Sequence, residues 1–370
     1  MRRRAFALPF EDQVPALAAL LDAEGPSAET PADLPRFIAA ADHHNVLGFV
    51  MAATHDGRLR LPDAARRRVS VLAGKRALHG RVLRRALPEV VDALERGCGV
   101  APVLVKGAAL ADRHYPMASL RPSVDLDLVM PRQELLRAAD ALRERGFEEM
   151  VEFRRGYAER HGHDIHVFRR DGGVRLDVEL HWRVGDDPVG VVLDHAFLGE
   201  GADRVTIEGA PVTVPSPPRH LLALAVHLLS DREKRLCWVH DIALVAGDAS
   251  AEHWDEAFVT ANRVGLSWVL HRALDYARRH LGFERSRPRP AGDPPPFGPL
   301  RAVEELDAHA APHLGRLVST PWREKPGYLA AVIFPTRAGL EGTVGGDGAS
   351  TWQLAKRHGR RVVRGFRRRA

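Results

Sequence analysis

Two carboxylates carry the first chemical signal in this chain. In the stretch "SVDLDLVM", residues 123–130, Asp125 and Asp127 stand one residue apart inside an apolar run. Side chains alternate along an extended strand, so both acids point one way while Val124, Leu126 and Leu128 point the other. Carboxylates held that close repel each other unless a cation sits between them. A hard divalent ion with oxygen ligands, most simply Mg2+, answers the repulsion, and Mg2+ usually works together with substrate phosphates. A lone pair of this kind is common on solvated strand edges, so its surroundings must carry the argument.

A further acid comes from "RLDVELHWRV", residues 175–184, where Asp177, Glu179 and His181 alternate with Leu176, Val178 and Leu180 and therefore share one face. Were this strand to lie beside the first, three acids would clamp two metal ions. Such a clamp stabilises both the attacking and the leaving oxygen of an in-line phosphoryl displacement. One acid would also serve as base, or sit near the ion that lowers the acceptor's proton affinity. Upstream, "VKG" ends an apolar run at Lys106 and Gly107, and a glycine there lets backbone N–H groups approach a phosphate closely.

These residues need a sheet to position them. Residues 11–95 show Leu, Ala and Val at helical spacing, in "DLPRFIAAADHHNVLGFVMAATH" and "ALHGRVLRRALPEVVDALERG", and Gly97 and Gly99 then supply the stop. Four short apolar runs follow as strands: "APVLVKG", "SVDLDLVM", "HDIHVFRR" and "VRLDVELHWRV". Between the second and fourth lies "RQELLRAADALRERGF", an amphipathic helix closed by Gly146. The helical pattern returns after "PVTVPSPPRH", through "HLLALAVHLLS", "RLCWVHDIALVAG" and "WVLHRALDYARRHL". The expected fold is α+β: an N-terminal helical region (1–95), a mixed-sheet core (96–215), a C-terminal helical region (216–284), a proline-rich linker (285–299) and a helical or irregular tail (300–370).

With those elements in place, the chain resembles the nucleotidyltransferase superfamily typified by DNA polymerase β, and within it the bacterial family of uncharacterised nucleotidyltransferases. "LVKGAAL", "HYPMASLR", "DLDLVM", "LRERGF" and "VELHW" occur in the order of that family's pattern, over roughly residues 35–275. The resemblance implies a minimal nucleotidyltransferase sheet, two Mg2+ ions, and transfer of a nucleoside monophosphate from an NTP, with ATP the expected donor. The acceptor would be a hydroxyl or phosphate of a small molecule, peptide or protein, and pyrophosphate would leave. It implies metal binding by Asp125 and Asp127, with Glu179 as third carboxylate where the family more often has Asp, and with Asp177 as its rival. It also implies that the Gly107–Ala108 turn cradles the nucleotide phosphates. Ala108 stands where the wider superfamily often has Ser, so Lys106 or Arg121 would substitute for the missing hydroxyl. Arg121 could instead form a salt bridge that orients Asp125 or Asp127.

The segment "HLLSDREKRLCWVHDIALV" holds His227, Lys234, Arg235, Trp238 and Asp241. It fits a helical wall closing over nucleotide phosphates, with Lys234 in contact. It fits equally a polar stripe fixing the helical region onto the sheet. The alternative to an enzyme is a catalytically silent nucleotide-binding or antitoxin-like partner of the same fold. Set against it is the acid trio, of which a decayed site would be expected to lose at least one member.

Composition narrows the setting. The net charge is +6, yet eight Lys or Arg and no acid fall in the last fifteen residues, "KRHGRRVVRGFRRRA". Basicity is thus a property of the tail, which could hold nucleic acid through its phosphates. His161, His163 and His166 cluster in "ERHGHDIHVFRR" but suit no standard zinc spacing. Two cysteines, Cys98 and Cys237, form no disulfide framework, so a reducing cytoplasm is expected. No run approaches a membrane span.

Overall fold

The computed structural model describes residues 8–284, except 23–24, 26, 150–165, 172–173, 186–191 and 232–233, together with Gln353. The proline-rich linker, the basic tail, His161 and His163 lie outside the described residues.

Four helices open the chain: α1 (Val14–Ala18), α2 (Leu34–His43), α3 (Leu47–His55) and α4 (Asp63–Cys98). The last is a single 36-residue helix that runs on through Pro88 and Gly97. Gly97 is therefore not a stop. Gly99 is the stop, since it holds φ +70 in the left-handed region that L side chains avoid. The spacing of Leu83, Leu87, Val90, Val91 and Leu94 makes one apolar stripe on α4, and all five are buried.

That stripe covers one face of a seven-stranded sheet. Its strands are β1 (Val103–Leu104), β2 (Leu126–Val129), β3 (Glu148–Glu149), β4 (His166–Asp171), β5 (Arg175–His181), β6 (Asp203–Ile207) and β7 (Ala210–Val214), ordered β3-β4-β5-β2-β1-β7-β6. β2 runs parallel to β5, β1 runs parallel to β7, and the remaining pairs are antiparallel. The mixed sheet and its helices make an α+β fold. Three strands were not expected from the sequence. Two of them, β6 and β7, form a hairpin whose turn residues Glu208 and Gly209 both take positive φ, as a two-residue primed turn requires.

Helices α5 (Ala108–Arg113) and α6 (Leu135–Glu144) follow β1 and β2. On α6, Leu135, Ala138, Ala139 and Leu142 join the α4 stripe against Leu104, Leu126, Leu128, Phe168, Val178 and Leu180 of the sheet. Each large side chain so buried stabilises by about 1.5–3 kcal/mol. Because side chains alternate, committing Leu126, Leu128, Val178 and Leu180 to this core turns Asp127 and Glu179 to the other face.

After the short helix α7 (His195–Gly199) and the hairpin come α8 (Pro217–Ser230), α9 (Leu236–Asp248), α10 (Ala251–Arg263) and α11 (Ser267–Leu281). Two histidines dock them. His220 Nε2 lies 2.8 Å from the Val105 carbonyl at the end of β1. His44 Nδ1 accepts the Leu236 N–H that opens α9, at 3.2 Å, while its Nε2 donates to the Pro9 carbonyl at 2.8 Å. Burial pushes both imidazoles down to about 4. Among the described residues no helix is long and apolar enough to cross a membrane.

Candidate functional site

The parallel register of β2 and β5 sets Asp127 directly opposite Glu179. Val129 stands opposite His181, so the histidine is one pleat further along the same face. Ligand atoms of Asp127, Glu179 and His181 all lie within 4.8 Å of one another. His181 Nε2 is 3.2 Å from Asp127 Oδ1 and 3.4 Å from Glu179 Oε2. Lys106, at the end of β1, brings its Nζ to 2.6 Å from the same Asp127 oxygen.

A lysine and a histidine thus meet two carboxylates in a nearly dry setting, Asp127 itself being 3% exposed. Burial alone would raise the Asp127 carboxyl, but Lys106 and His181 outweigh it and hold the group ionised, well below the usual carboxylate range. Burial would likewise discharge Lys106 and His181, and the carboxylates reverse that, pulling both above their ordinary values. Asp125, one residue before β2, responds the other way. Burial and the nearby charges of Asp127 and Glu179 raise it, so it is the carboxyl that keeps a proton while no further cation is present.

The donor set suits a hard divalent cation. Carboxylate oxygens converge from two strands, and they already draw in a lysine and a histidine. Glu179 is the more accessible acid, with its side chain 25% exposed against 4% for Asp127.

Asp177 stands apart from this group. It shares the face of Glu179, yet its oxygens accept from Arg169 Nε at 2.8 Å and Arg175 Nη2 at 2.7 Å. Arg121 does not reach the acid pair, so the salt bridge to Asp125 or Asp127 weighed from the sequence is not formed. Its guanidinium meets Asp241 of α9 through three contacts of 2.8–3.1 Å, and Tyr115 donates to the same carboxylate at 2.6 Å. Arg121 is 6% exposed and Asp241 1%, so this is a buried ion pair joining the loop before β2 to the C-terminal helices. Of the two readings of Asp241, the structure shows the one that fixes the helices to the sheet. Lys234 precedes α9, and its Nζ donates to the Asp231 carbonyl at 3.1 Å.

The loop before β2 is held from the N-terminal side as well. Asn45 Nδ2 donates to the Pro122 carbonyl at 2.9 Å, and the α4 backbone passes so close that a Cβ on Gly80 would meet Pro122 Cα and Ser123 N at 3.1 Å. On the far side of the loop, Gly107 takes φ +55, and a Cβ there would come within 2.3 Å of Ser123 Oγ. Gly107 is therefore required by two independent constraints, and Ala108 behind it is buried at the start of α5.

The sequence did not assign chemistry to His181 or notice Ser123. For His181 the signal was present, because it lies two residues after Glu179 on a regular strand. The neighbourhood of Ser123 and Gly107 comes from the return of the chain and leaves no trace in local spacing.

Comparison with known families gives a match to the family described as uncharacterised nucleotidyltransferase, over residues 30–282. The chain belongs to that family and is a transferase of its kind, with an NTP as substrate and a divalent metal in general use. No curated protein and no solved structure matches it.

Proposed function

Starting from a family that transfers nucleotidyl groups, we propose that this protein moves a nucleoside monophosphate from an NTP, with ATP the leading donor, to an acceptor hydroxyl or phosphate. The acceptor is a small molecule, peptide or protein. The register that places Asp127 opposite Glu179, with Asp125 adjoining, carries this reading.

Asp125 and Asp127 would hold two Mg2+ ions, with Glu179, rather than Asp177, completing the coordination of one. When bound, such ions offset the charge that builds on the attacking and leaving oxygens. The acceptor oxygen attacks the α-phosphorus, the bond from that phosphorus to the bridging oxygen breaks, and pyrophosphate leaves. The acceptor's proton would pass to a carboxylate, and the greater exposure of Glu179 supports its taking that role. Lys106, beside Asp127, and the Gly107–Ala108 turn would receive the phosphates. Arg121 acts at one remove, holding the loop before β2 against Asp241. A cytoplasmic setting accords with Cys98 and Cys237, both free and buried.

Calorimetric titration of ATP, GTP, CTP and UTP, each with and without Mg2+, tests the reading on wild type and on the Asp125→Asn/Asp127→Asn variant. Heat that requires both the metal and the wild-type carboxylates supports it and identifies the donor. Equal binding by the two proteins, or none by the wild type, removes it.

A further inference from the structure

We infer that Arg235, whose guanidinium lies over the Trp238 ring, is a second cation, beside Lys106, that receives the NTP's phosphate chain. The inference rests on the nucleotidyltransferase reading above and deepens it by naming a phosphate contact that the metal-binding carboxylates do not supply.

A triphosphate brings several negative charges, and the acid cluster repels it except where metal intervenes. At least one cation that is not already neutralised is wanted on the opposite side. The other basic residues singled out from the sequence already have partners within the protein. Lys106 is bound to Asp127, Arg121 to Asp241, and Lys234 Nζ donates to the Asp231 carbonyl. Arg235 differs. It forms no ion pair and no side-chain hydrogen bond among the described residues, and its Nε is buried with no acceptor. A guanidinium N–H removed from water and left unmatched is costly, and such orphans in folded proteins call for a ligand, water or ion.

Its placement points the same way. The Arg235 guanidinium lies over the Trp238 ring, 5.4 Å from the centroid. Trp238 in turn meets the His227 ring edge-on at 4.4 Å. His227 is half-buried and close enough to the acid site to feel Lys106, Asp127 and His181. A row of contacts therefore leads from the orphan guanidinium through the Trp238 and His227 rings toward the acid site. A guanidinium held over an aromatic face loses little further freedom when its N–H groups meet phosphate oxygens.

The test uses inorganic tripolyphosphate with Mg2+, which lacks a base, beside the NTP that the wild type prefers. Wild type, Arg235→Gln and Arg235→Lys are compared by calorimetry. Arg235→Gln is expected to weaken both ligands by about 10- to 100-fold, the range for a charge-assisted bidentate contact. Arg235→Lys is expected to fall between, since it keeps the charge and loses the fork. In parallel, phenylglyoxal labelling of the unaltered protein, read by mass spectrometry, should show Arg235 protected by magnesium tripolyphosphate.

Wild-type binding with undiminished affinity in Arg235→Gln would overturn the inference and leave the nucleotidyltransferase reading standing. So would labelling of Arg235 that the ligand does not alter, which keeps the question answerable if the variants fail to fold. Absence of any wild-type binding to NTP or tripolyphosphate would remove both.

Discussion

Asp127 and Glu179 face each other across a parallel strand pair, while Asp177, on the same strand and face as Glu179, is tied up by Arg169 and Arg175. The two acids of β5 therefore should not behave alike. Asp127→Asn or Glu179→Gln is expected to lower turnover by about 100-fold or more, the scale on which charge stabilisation at a reacting centre is lost. Asp177→Asn should change turnover little and show its effect in stability. Equal loss of turnover in Asp177→Asn and Glu179→Gln, measured under saturating metal, would contradict this division.

Gly107→Ala combines a positive φ with a steric clash. The backbone component costs about 1–2 kcal/mol for any L residue, and the clash with Ser123 Oγ adds to it. Replacing Ser123 by Ala as well removes the oxygen but not the φ. Urea unfolding of Gly107→Ala, Ser123→Ala and the double variant should show the double recovering part of the loss. Strict additivity would mean that the two residues do not meet.

Removing one partner from the Arg121–Asp241 pair leaves a buried charge. Asp241→Asn should cost about 3–5 kcal/mol, and Tyr115 keeps an acceptor in that variant. Arg121→Met/Asp241→Leu should cost less than Asp241→Asn, because neither charge remains. Chemical denaturation decides it. A double variant weaker than Asp241→Asn would show that the pair contributes more than its own neutralisation.

Acid should destabilise the fold through His44 and His220, which are held neutral with values near 4 against an ordinary 6.5. Above pH 6.5 both states are unprotonated and the contribution is complete. Between 6.5 and 4 the unfolded chain binds protons that the native state refuses, so stability falls as pH falls, by up to about 1.4 kcal/mol per pH unit for each histidine. His220→Gln, which keeps a donor for the Val105 carbonyl, should reduce that slope by up to about 1.4 kcal/mol per pH unit over this window, the rest lying with His44 and with His79, His227 and His240, which burial also lowers. An unchanged slope in unfolding measurements from pH 7 to 4 would assign the acid sensitivity elsewhere.

Much of the scaffold was legible because local pattern and burial agree in it. The alternation in β2 and β5 revealed both the strands and the face that carries the acids, and the α4 and α6 stripes follow helical spacing. The hairpin of β6 and β7 was overlooked, although the Glu208–Gly209 dipeptide between alternating runs is a turn signal. Gly97 misled because a glycine inside a long helix and one at its end look alike in sequence, and only φ separates them. The partners of Arg121, the proximity of Ser123 to Gly107 and the isolation of Arg235 depend on segments distant in the chain meeting in space. No local spacing encodes them.

The strand order has a consequence for how the site comes into being. His181 and Asp127, whose side chains touch, are 54 residues apart in sequence, and β1 must wait for Thr213 of β7 to cover its other edge. A ribosome adds about 5–20 residues per second, so the first acid strand leaves the tunnel seconds before its neighbour exists. Until then Asp125 and Asp127 are an ordinary pair of solvated carboxylates with little hold on a metal. On the proposed reading, cation capture would be deferred until β5 has docked, and metal uptake would be a late reporter of completed folding rather than an event that guides it.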